Sequence, residues 1–383
     1  MPEAQDIHPE RARVSPAPYA AAAARITPYV RRTPLLTARV DGREVSLKLE
    51  NLQVAGVFKI RGALNALLAT REAATAEETE GIGLAWASGG VARLGDAVRS
   101  RGSDSSEAGV ARPRGGGGGG GRVVTASGGN HGLGVATAAR WLGIPATVYV
   151  PATVPDIKAA RIDETGADVV RAGRVFADAE RAARQYAAEH TLYYVHAYDD
   201  PAVVAGQGTL ALEIVTDFPD CDVVAVPVGG GGLLAGVSGA LAAIDREALS
   251  GPADGTVSGG EVAADGPAPR RVVGVEPEGC PTLHAAVAAG GPVDVGADSV
   301  AASALGAARI GDLAFAAYRA NPVGLALVTD KEILSARDRL WEEFRLAVEP
   351  AAATVFAAWL SGQVPGAHPC LVLSGANAAW TPA

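Results

Sequence analysis

Cysteine is scarce in this chain, and its placement excludes two kinds of structural cross-link. The 383 residues contain only Cys221, Cys280 and Cys370, which are widely separated and form no C-x-x-C pair. A disulfide framework and a structural zinc site are therefore not expected, and a reducing compartment is favoured. We accordingly predict a cytoplasmic protein.

The sequence also lacks long apolar runs and an excess of positive charge. No stretch approaches the roughly 20 apolar residues that a membrane span needs, and the N-terminal region has no apolar signal core. The net charge of −9 disfavours a nucleic-acid surface, which requires clustered lysine and arginine. We predict neither a membrane nor a nucleic-acid partner.

Aromatic residues make up only 5% of the chain, whereas hydrophobic residues make up 48%, many of them alanine. This composition suits helices packed on sheets. Short β-branched runs alternate with helical stretches, which predicts parallel sheets covered on both faces. The strands are predicted at Val45–Glu50, Val123–Ser127, Ala146–Val150, Asp168–Arg171, Leu192–His196, Val223–Val228, Val272–Glu276 and Leu371–Ser374. The clearest helices between them are predicted at Ile157–Thr165, Phe176–His190 and Val203–Thr216.

Two segments interrupt this alternation. The chain is predicted to be irregular from about Arg71 to Gly121, and it ends there in the glycine run Gly115–Gly121. Because poly-glycine buries no apolar surface and loses the most backbone entropy, we predict a flexible surface insertion around 100–121. The Gly-, Ala- and Pro-rich stretch Gly251–Pro269 is predicted to be a loop.

The segment Gly56–Ala63 places Lys59 between apolar residues near the start of a helix. Partial burial lowers the pKa of an amine and makes it a better nucleophile and base. Taken alone, however, this octapeptide favours an ordinary surface lysine whose aliphatic stem lies on the protein.

The segment Thr125–Gly132 follows a strand and opens an apolar helix. The free amides of such a helix start favour an anion, and the glycines allow a close approach, so a carboxylate is the expected ligand. Alternatively, Ser127 or Asn130 acts only as an N-cap and His131 is structural.

The segment Val226–Leu233 places four glycines between an apolar strand and a helix. This is the arrangement of a phosphate cradle built from main-chain amides. It lacks both the Lys-Ser/Thr ending of a P-loop and the G-x-G-x-x-G spacing of dinucleotide sites, so we predict a phosphate monoester. A plain glycine-rich turn is the alternative.

The last motif, Leu371–Asn377, is a strand and its turn. The hydroxyl of Ser374 at the strand end can hydrogen-bond a heterocycle nitrogen, although an N-cap or turn role explains it equally well.

In this order, the four motifs resemble the fold type II pyridoxal-phosphate family, specifically its serine/threonine dehydratases and serine racemases. Further matching segments are Thr33–Leu35, Leu47–Asn51, Ala205–Thr209, Gly274–Pro277 and Val348–Ala351. The resemblance implies a tryptophan synthase β-like architecture of two open parallel-sheet α/β domains with pyridoxal phosphate in the cleft between them. It assigns residues 1–70 and 198–383 to a large cofactor domain and residues 71–197 to a small substrate domain.

The resemblance also implies a role for each motif residue. Lys59 would form the Schiff base with the cofactor, Phe58 would pack near its ring, Asn130 would bond its 3′-oxygen, and Ser374 would face its ring nitrogen. The phosphate would be held by Gly229, Gly230, Gly231, Gly232 and Leu233. The substrate carboxylate would be held by Ser127, Gly128, Gly129, Asn130 and His131.

The implied activity is dehydration and deamination of L-threonine, L-serine or both to a 2-oxo acid and ammonia. A neutral Ser374 at the ring nitrogen suits β-elimination, for which Lys59 would be the base. Related racemases carry a second serine where this chain has Gly128, so elimination is expected over racemisation.

Three alternatives stay open at this point. They are a serine racemase, another β-eliminating or β-replacing enzyme such as a hydroxyaspartate dehydratase or a sulfhydrylase, and a degenerate phosphate-ligand binding protein. No metal site is expected, with Glu276 kept open as a possible ligand: some relatives bind a cation through a Glu and an Asp, but here Glu276 is accompanied by Thr282. The relatives' assembly implies a homo-oligomer, a dimer or a tetramer.

Overall fold

A computed structural model describes residues 16–79, 121–250 and 268–377. The insertion expected around 100–121 and the loop expected at 251–269 fall almost entirely outside these ranges. The strands in the described residues are β1 (Leu35–Val40), β2 (Arg43–Lys48), β3 (Val123–Ala126), β4 (Ala146–Val150), β5 (Asp168–Arg171), β6 (Tyr193–Tyr194), β7 (Val223–Pro227), β8 (Arg271–Pro277), β9 (Gly324–Val328) and β10 (Pro369–Val372).

The strands form two sheets. The large sheet has the order β1-β2-β10-β7-β8-β9, in which only the β1–β2 pair is antiparallel. The small sheet has the order β5-β4-β3-β6 and is parallel throughout. The predicted α/β architecture with parallel sheets is confirmed, whereas the domain boundaries stay a prediction.

Helices cover these sheets. They are α1 (Ala17–Ile26), α2 (Lys59–Thr79), α3 (Asn130–Leu142), α4 (Asp156–Asp163), α5 (Phe176–Glu189), α6 (Pro201–Asp217), α7 (Gly232–Ser250), α8 (Thr282–Ala289), α9 (Ala302–Leu305), α10 (Asp312–Ala320), α11 (Asp330–Phe344) and α12 (Pro350–Leu360). Within the described part of the chain, none of them is long and apolar enough to cross a membrane.

The central strand β7 shows why the sequence folds in this way. Successive side chains of a strand point to opposite faces. Val223 and Ala225 join the core with α11 and α12, while Val224 and Val226 join the core with α6 and α7. A strand buried on both faces needs an unbroken apolar run, which is what the sequence shows there.

Two strands were not predicted. Both β1 and β9 lie at an edge of the large sheet, where a strand has one neighbour and its side chains are less buried. Their apolar pattern is correspondingly weak. The irregular stretch expected from Arg71 was wrong at its start, because α2 continues to Thr79 through Ala-, Glu- and Arg-rich sequence with high helix propensity.

A buried ion network anchors α2 to the large sheet. The Arg61 guanidinium donates to both oxygens of Glu50, at 2.8 Å each, and to Glu213 of α6 at 2.7 Å. Lys48 of β2 reaches the other oxygen of Glu213 at 2.7 Å. Because α2 begins at Lys59, this network fixes where that lysine emerges.

Candidate active site

Lys59 is the first residue of α2, and its amine reaches the loop that follows β6. The Nζ donates to the carbonyl of Ala197 at 3.0 Å and lies 5.2 Å from the centre of the Phe58 ring. Burial lowers the pKa of Lys59 to about 8, although the charge of Glu349 opposes that shift. A substantial fraction of the amine is therefore neutral near physiological pH.

The turn from Gly229 to Leu233 joins β7 to α7 and presents its amides as free donors. Among the described residues, none of the five amides of this turn donates to a protein acceptor. Successive free amides at a helix start, aided by the helix dipole, form an anion site. The turn therefore fits a phosphate group.

Side chains are excluded from this turn by close packing. A Cβ added at Gly230 would lie 2.3 Å from Cδ1 of Tyr198, and one at Gly229 would lie 2.9 Å from Cα of Leu305. Gly231 also has a φ of +87°, which L side chains rarely adopt. The carbonyl of Ala197 accepts a hydrogen bond from the Lys59 amine, and the next residue, Tyr198, packs against Gly230. The dipeptide Ala197–Tyr198 therefore contacts both Lys59 and the turn Gly229–Leu233, which we call the phosphate-type turn.

Ser374 lies two residues after the end of the last strand, β10, and it contacts the residue that precedes Lys59. Its carbonyl accepts a hydrogen bond from the amide of Phe58 at 3.1 Å, and Val57 forms a β-bridge with Gly375. Ser374 is buried. The two motifs farthest apart in the sequence are therefore adjacent in the structure.

The loop Ser127–His131 lies at the start of α3. The hydroxyl of Ser127 accepts a hydrogen bond from the amide of Gly129 at 3.2 Å, and in the described residues the amides of Gly128, Asn130 and His131 donate to no protein group. A Cβ added at Gly134 would lie 3.4 Å from Cβ of Lys59, so α3 packs directly against that lysine. The loop fits a carboxylate near Lys59.

His131 does not act as a cation in this loop. Its Nε2 lies 3.1 Å from the carbonyl of Val195, which can only accept, so Nε2 carries the proton. Burial and the charge of Lys59 lower the pKa of His131 to about 3. The ring is neutral and serves to position the loop.

Glu349 precedes α12, which packs beside the large sheet, and it faces the loop Ser127–His131, which we call the carboxylate loop. Its Oε1 accepts from Nδ2 of Asn130 at 2.7 Å, and a Cβ at Gly375 would lie 2.4 Å from the same oxygen. Burial raises the pKa of Glu349 to about 7, opposed by the Asn130 hydrogen bond and by the charges of Lys158 and Lys59. In the sequence, Glu349 stood out only as part of the matching segment Val348–Ala351, and the structure places it beside the carboxylate loop.

Glu276 is fully engaged by protein donors. Its carboxylate accepts from the amide of Leu283 at 2.7 Å, from the amide of His284 at 3.0 Å and from the His284 ring at 2.7 Å. The single Thr282 hydroxyl proton is shared between Glu276 at 2.9 Å and the carbonyl of Gly229 at 2.6 Å. Glu276 therefore fastens the phosphate-type turn. No cluster of three metal-type ligands occurs within the described ranges.

A narrow cleft, open to solvent, extends from the carboxylate loop toward α4. It is bordered by Gly129, Asn130, Lys158, Arg161, Ser303 and Glu349.

Of the site residues, sequence reasoning missed Ala197, Tyr198, Lys158 and Arg161. The first two follow β6, and that position beyond the carboxyl end of a predicted strand was the available signal. Nothing in the sequence shows that α4 turns its cations toward the cleft.

Comparison with known proteins connects this geometry to a family. A model of the pyridoxal-phosphate dependent enzymes matches residues 105–375, which is more than half of the chain. An L-threonine ammonia-lyase from Thermotoga maritima is 33% identical over 341 residues, covering 89% of this chain and 69% of the relative. An L-threo-3-hydroxyaspartate ammonia-lyase from Saccharomyces cerevisiae is 31% identical over 359 residues, covering 92% of this chain and 90% of the relative.

Solved structures give the same result. The crystal structure of a threonine deaminase from T.th. superposes with a TM-score of 0.72 at 29% sequence identity, covering 96% of this chain and 100% of that structure.

Proposed function

This chain belongs to the pyridoxal-phosphate dependent enzyme family, and we propose that it dehydrates and deaminates L-threonine, L-serine or both to a 2-oxo acid and ammonia. The fold type II class, the cofactor and the lyase class predicted from the motifs are confirmed. The observation that carries the proposal is the position of the Lys59 amine, which is half-buried, has a lowered pKa and lies between a phosphate-type turn and a carboxylate-type loop.

The residues present fit the cofactor. Lys59 is the residue that we propose to join the cofactor aldehyde, with Phe58 beside the ring, Asn130 at the 3′-oxygen and Ser374 at the ring nitrogen. The free amides from Gly229 to Leu233 would hold the phosphate. When bound, pyridoxal phosphate stabilises negative charge at the α-carbon of an amino acid.

The protein's own groups then supply binding and proton transfer. The free amides of the Ser127–His131 loop orient the substrate carboxylate. Lys59, in its neutral form, takes the α-proton, after which the β-hydroxyl leaves. The hydroxyl of Ser374 is neutral and does not stabilise a protonated ring nitrogen. An unprotonated ring nitrogen favours elimination over transamination.

Elimination is favoured over racemisation by the packing around Gly128. A Cβ added there would lie 2.1 Å from Cγ2 of Val154, so the chain has no room for a second acid/base side chain at this position. With Lys59 as the only base, protons are exchanged on one face of the substrate. We therefore propose a dehydratase and not a racemase.

The test is to incubate the purified, cofactor-loaded protein with L-threonine and L-serine and to measure 2-oxo acid, ammonia and D-amino acid. We expect stoichiometric 2-oxo acid and ammonia. Fast formation of D-serine without 2-oxo acid would overturn the choice of reaction. A colourless protein that borohydride does not change would favour a phosphate-ligand binding protein instead.

We also propose a reducing, cytoplasmic setting and a homo-oligomeric state for this enzyme. Cys221, Cys280 and Cys370 are all free and buried, which supports the first proposal. Sedimentation analysis of the purified protein tests the second.

A further inference from the structure

The loop after β6 contains a histidine whose ring organises the loop's own backbone. Nδ1 of His196 accepts hydrogen bonds from the amide of Asp199 at 2.7 Å and from the amide of Tyr198 at 3.3 Å. A ring nitrogen that accepts an amide proton carries none itself, so the proton of this ring is on Nε2. His196 therefore closes residues 196–199, which we call the His196 loop, much as an asparagine closes a turn with its side-chain oxygen.

Glu180 of α5 holds the ring in this state. Its Oε1 lies 3.5 Å from Nε2 of His196 and accepts two hydrogen bonds from Arg184, at 2.8 and 3.0 Å. These donors, with His196 as the largest cause, lower the pKa of Glu180 to about 2. The carboxylate is therefore charged and can only accept, which keeps the ring proton on Nε2 and leaves Nδ1 as the acceptor for the two amides.

The His196 loop contacts both parts of the candidate cofactor site. The carbonyl of Ala197 accepts from the Nζ of Lys59 at 3.0 Å. The next residue, Tyr198, packs so closely on the phosphate-type turn that a Cβ at Gly230 would lie 2.3 Å from its ring and one at Gly232 would lie 2.9 Å from its Cα. Adjacent residues of one loop thus position the amine and the turn.

Asp199 adds a second contact with the phosphate-type turn, through α10. Its Oδ1 accepts from the amide of Leu313 at 2.8 Å, in the first turn of that helix. Gly311, which precedes α10, donates its amide to the carbonyl of Gly230 at 3.0 Å. Because Nδ1 of His196 holds the Asp199 amide, the imidazole, α10 and the phosphate-type turn form one connected chain of contacts.

We propose that Glu180 and His196 are a pair of positioning residues, which place the Lys59 amine and the phosphate-type turn together. The inference rests on the proposed roles of Lys59 and of this turn in holding the cofactor. The pair acts through the backbone of the His196 loop and not on the reacting atoms. Since one acceptor nitrogen carries both effects, its loss should weaken phosphate binding and the capture of an aldehyde by Lys59 together.

Two substitutions separate the acceptor from the bulk of the ring. Asparagine places a carbonyl oxygen close to the position of Nδ1, whereas glutamine reaches the position of Nε2 and offers no acceptor near the two amides. His196→Asn should therefore keep the loop closed, and His196→Gln should open it. A role in packing alone predicts the opposite order, because glutamine is closer to histidine in size. The matched control is His190→Gln, at an exposed position just after α5.

The two parts of the site are measured with separate probes on the full-length protein after removal of the cofactor. Phosphorus NMR titration with inorganic phosphate reports on the phosphate-type turn. The capture of pyridoxal, which lacks the phosphate, followed by borohydride reduction and mass spectrometry, reports on Lys59. We expect His196→Gln to weaken both about tenfold, as for the loss of one hydrogen bond, whereas His196→Asn and the control should stay close to wild type.

A second variant leaves the histidine in place. In Glu180→Gln, the side-chain amide can donate to Nε2 and move the ring proton to Nδ1, so both probes should weaken by similar factors. Nitrogen NMR of the ring should find the proton on Nε2 in the wild-type protein and on Nδ1 in this variant. Glu189→Gln, at an exposed position of the same helix, is its control.

The outcomes distinguish this inference from the proposed function. If the wild-type protein binds no phosphate, or captures pyridoxal on another lysine, the proposed cofactor site itself fails. If the wild type binds both probes but either variant weakens only one or neither, the pair does not place the two parts together and the inference is wrong. It is equally overturned if His196→Asn is as impaired as His196→Gln, or if the wild-type ring carries its proton on Nδ1.

Discussion

Asn130 and Glu349 are 219 residues apart in the sequence and are joined by a 2.7 Å hydrogen bond across the cleft. The bond connects the start of α3, beside the small sheet, with the start of α12, beside the large sheet. It places a buried carboxylate within electrostatic reach of Lys59, so that each group shifts the pKa of the other.

This coupling predicts how cofactor capture depends on pH. Only the neutral amine attacks an aldehyde, and the pKa of Lys59 is lowered to about 8. The rate at which cofactor-free protein captures pyridoxal phosphate should therefore rise with pH, with a midpoint of about 8, and level off above it. Glu349→Gln removes a negative charge that raises the Lys59 pKa, so the midpoint should move to lower pH.

Stopped-flow absorbance measures this midpoint. Glu44→Gln, at an exposed position of β2, is the control that should leave it in place. An unchanged midpoint in Glu349→Gln would contradict the coupling.

Lys59 itself is tested by its removal. Lys59→Ala should prevent covalent capture of the cofactor and lower kcat by about 10²- to 10⁴-fold, the usual contribution of a positioned base. Borohydride treatment followed by peptide mass spectrometry should find the reduced adduct on Lys59 in the wild-type protein only. Lys331→Ala, at an exposed position of α11, should behave like the wild type; an adduct on another lysine would refute the assignment.

The contact between Gly128 and Val154 predicts the outcome of an attempt to add a second acid/base group. Gly128→Ser alone overpacks the loop, which costs about 1–3 kcal/mol, and elimination should slow. Gly128→Ser combined with Val154→Ala has room for the serine and should form measurable D-serine from L-serine. Chiral chromatography of the products, with Val154→Ala alone as the control, decides this. D-serine from the wild-type enzyme at a comparable rate would show that a second base already exists.

Removal of metal ions should change neither the activity nor the thermal stability of the enzyme. The Glu276 carboxylate is satisfied by Thr282, Leu283 and His284, which leaves it poorly suited to a divalent cation. Dialysis against a chelator should leave both kcat and the thermal unfolding midpoint unchanged, and added Mg²⁺ or Ca²⁺ should not raise them. A Ca²⁺-dependent rise in the unfolding midpoint would disprove this.

The buried pair of Arg61 and Glu50 predicts a large effect on stability. Glu50→Gln leaves the buried guanidinium short of one charged partner, and the free energy of unfolding should fall by about 3 kcal/mol. The control is Glu72→Gln, which breaks the more exposed pair with Arg25 and should cost less than about 1 kcal/mol. Denaturant unfolding compares the two, and equal losses would contradict the assignment of the pair as a buried anchor.

Most of the strands could be predicted from the sequence because their signal is local. β4 has the predicted bounds, since a short buried run rich in β-branched residues marks a strand without reference to its neighbours. The edge strands β1 and β9 were missed because half-buried strands carry little apolar periodicity.

The order of the motifs was enough to predict the family and the cofactor, whereas the use of Lys59 stays a prediction. The sequence alone could not determine which side chains surround that lysine. The carbonyl of Ala197 and the carboxylate of Glu349 approach it only because two sheets bring distant loops together. The burial that lowers the Lys59 pKa, the contact that excludes a side chain at Gly128, and the cations of α4 at the cleft are likewise tertiary. Each depends on distances between segments that are far apart along the chain, and a linear pattern does not contain those distances.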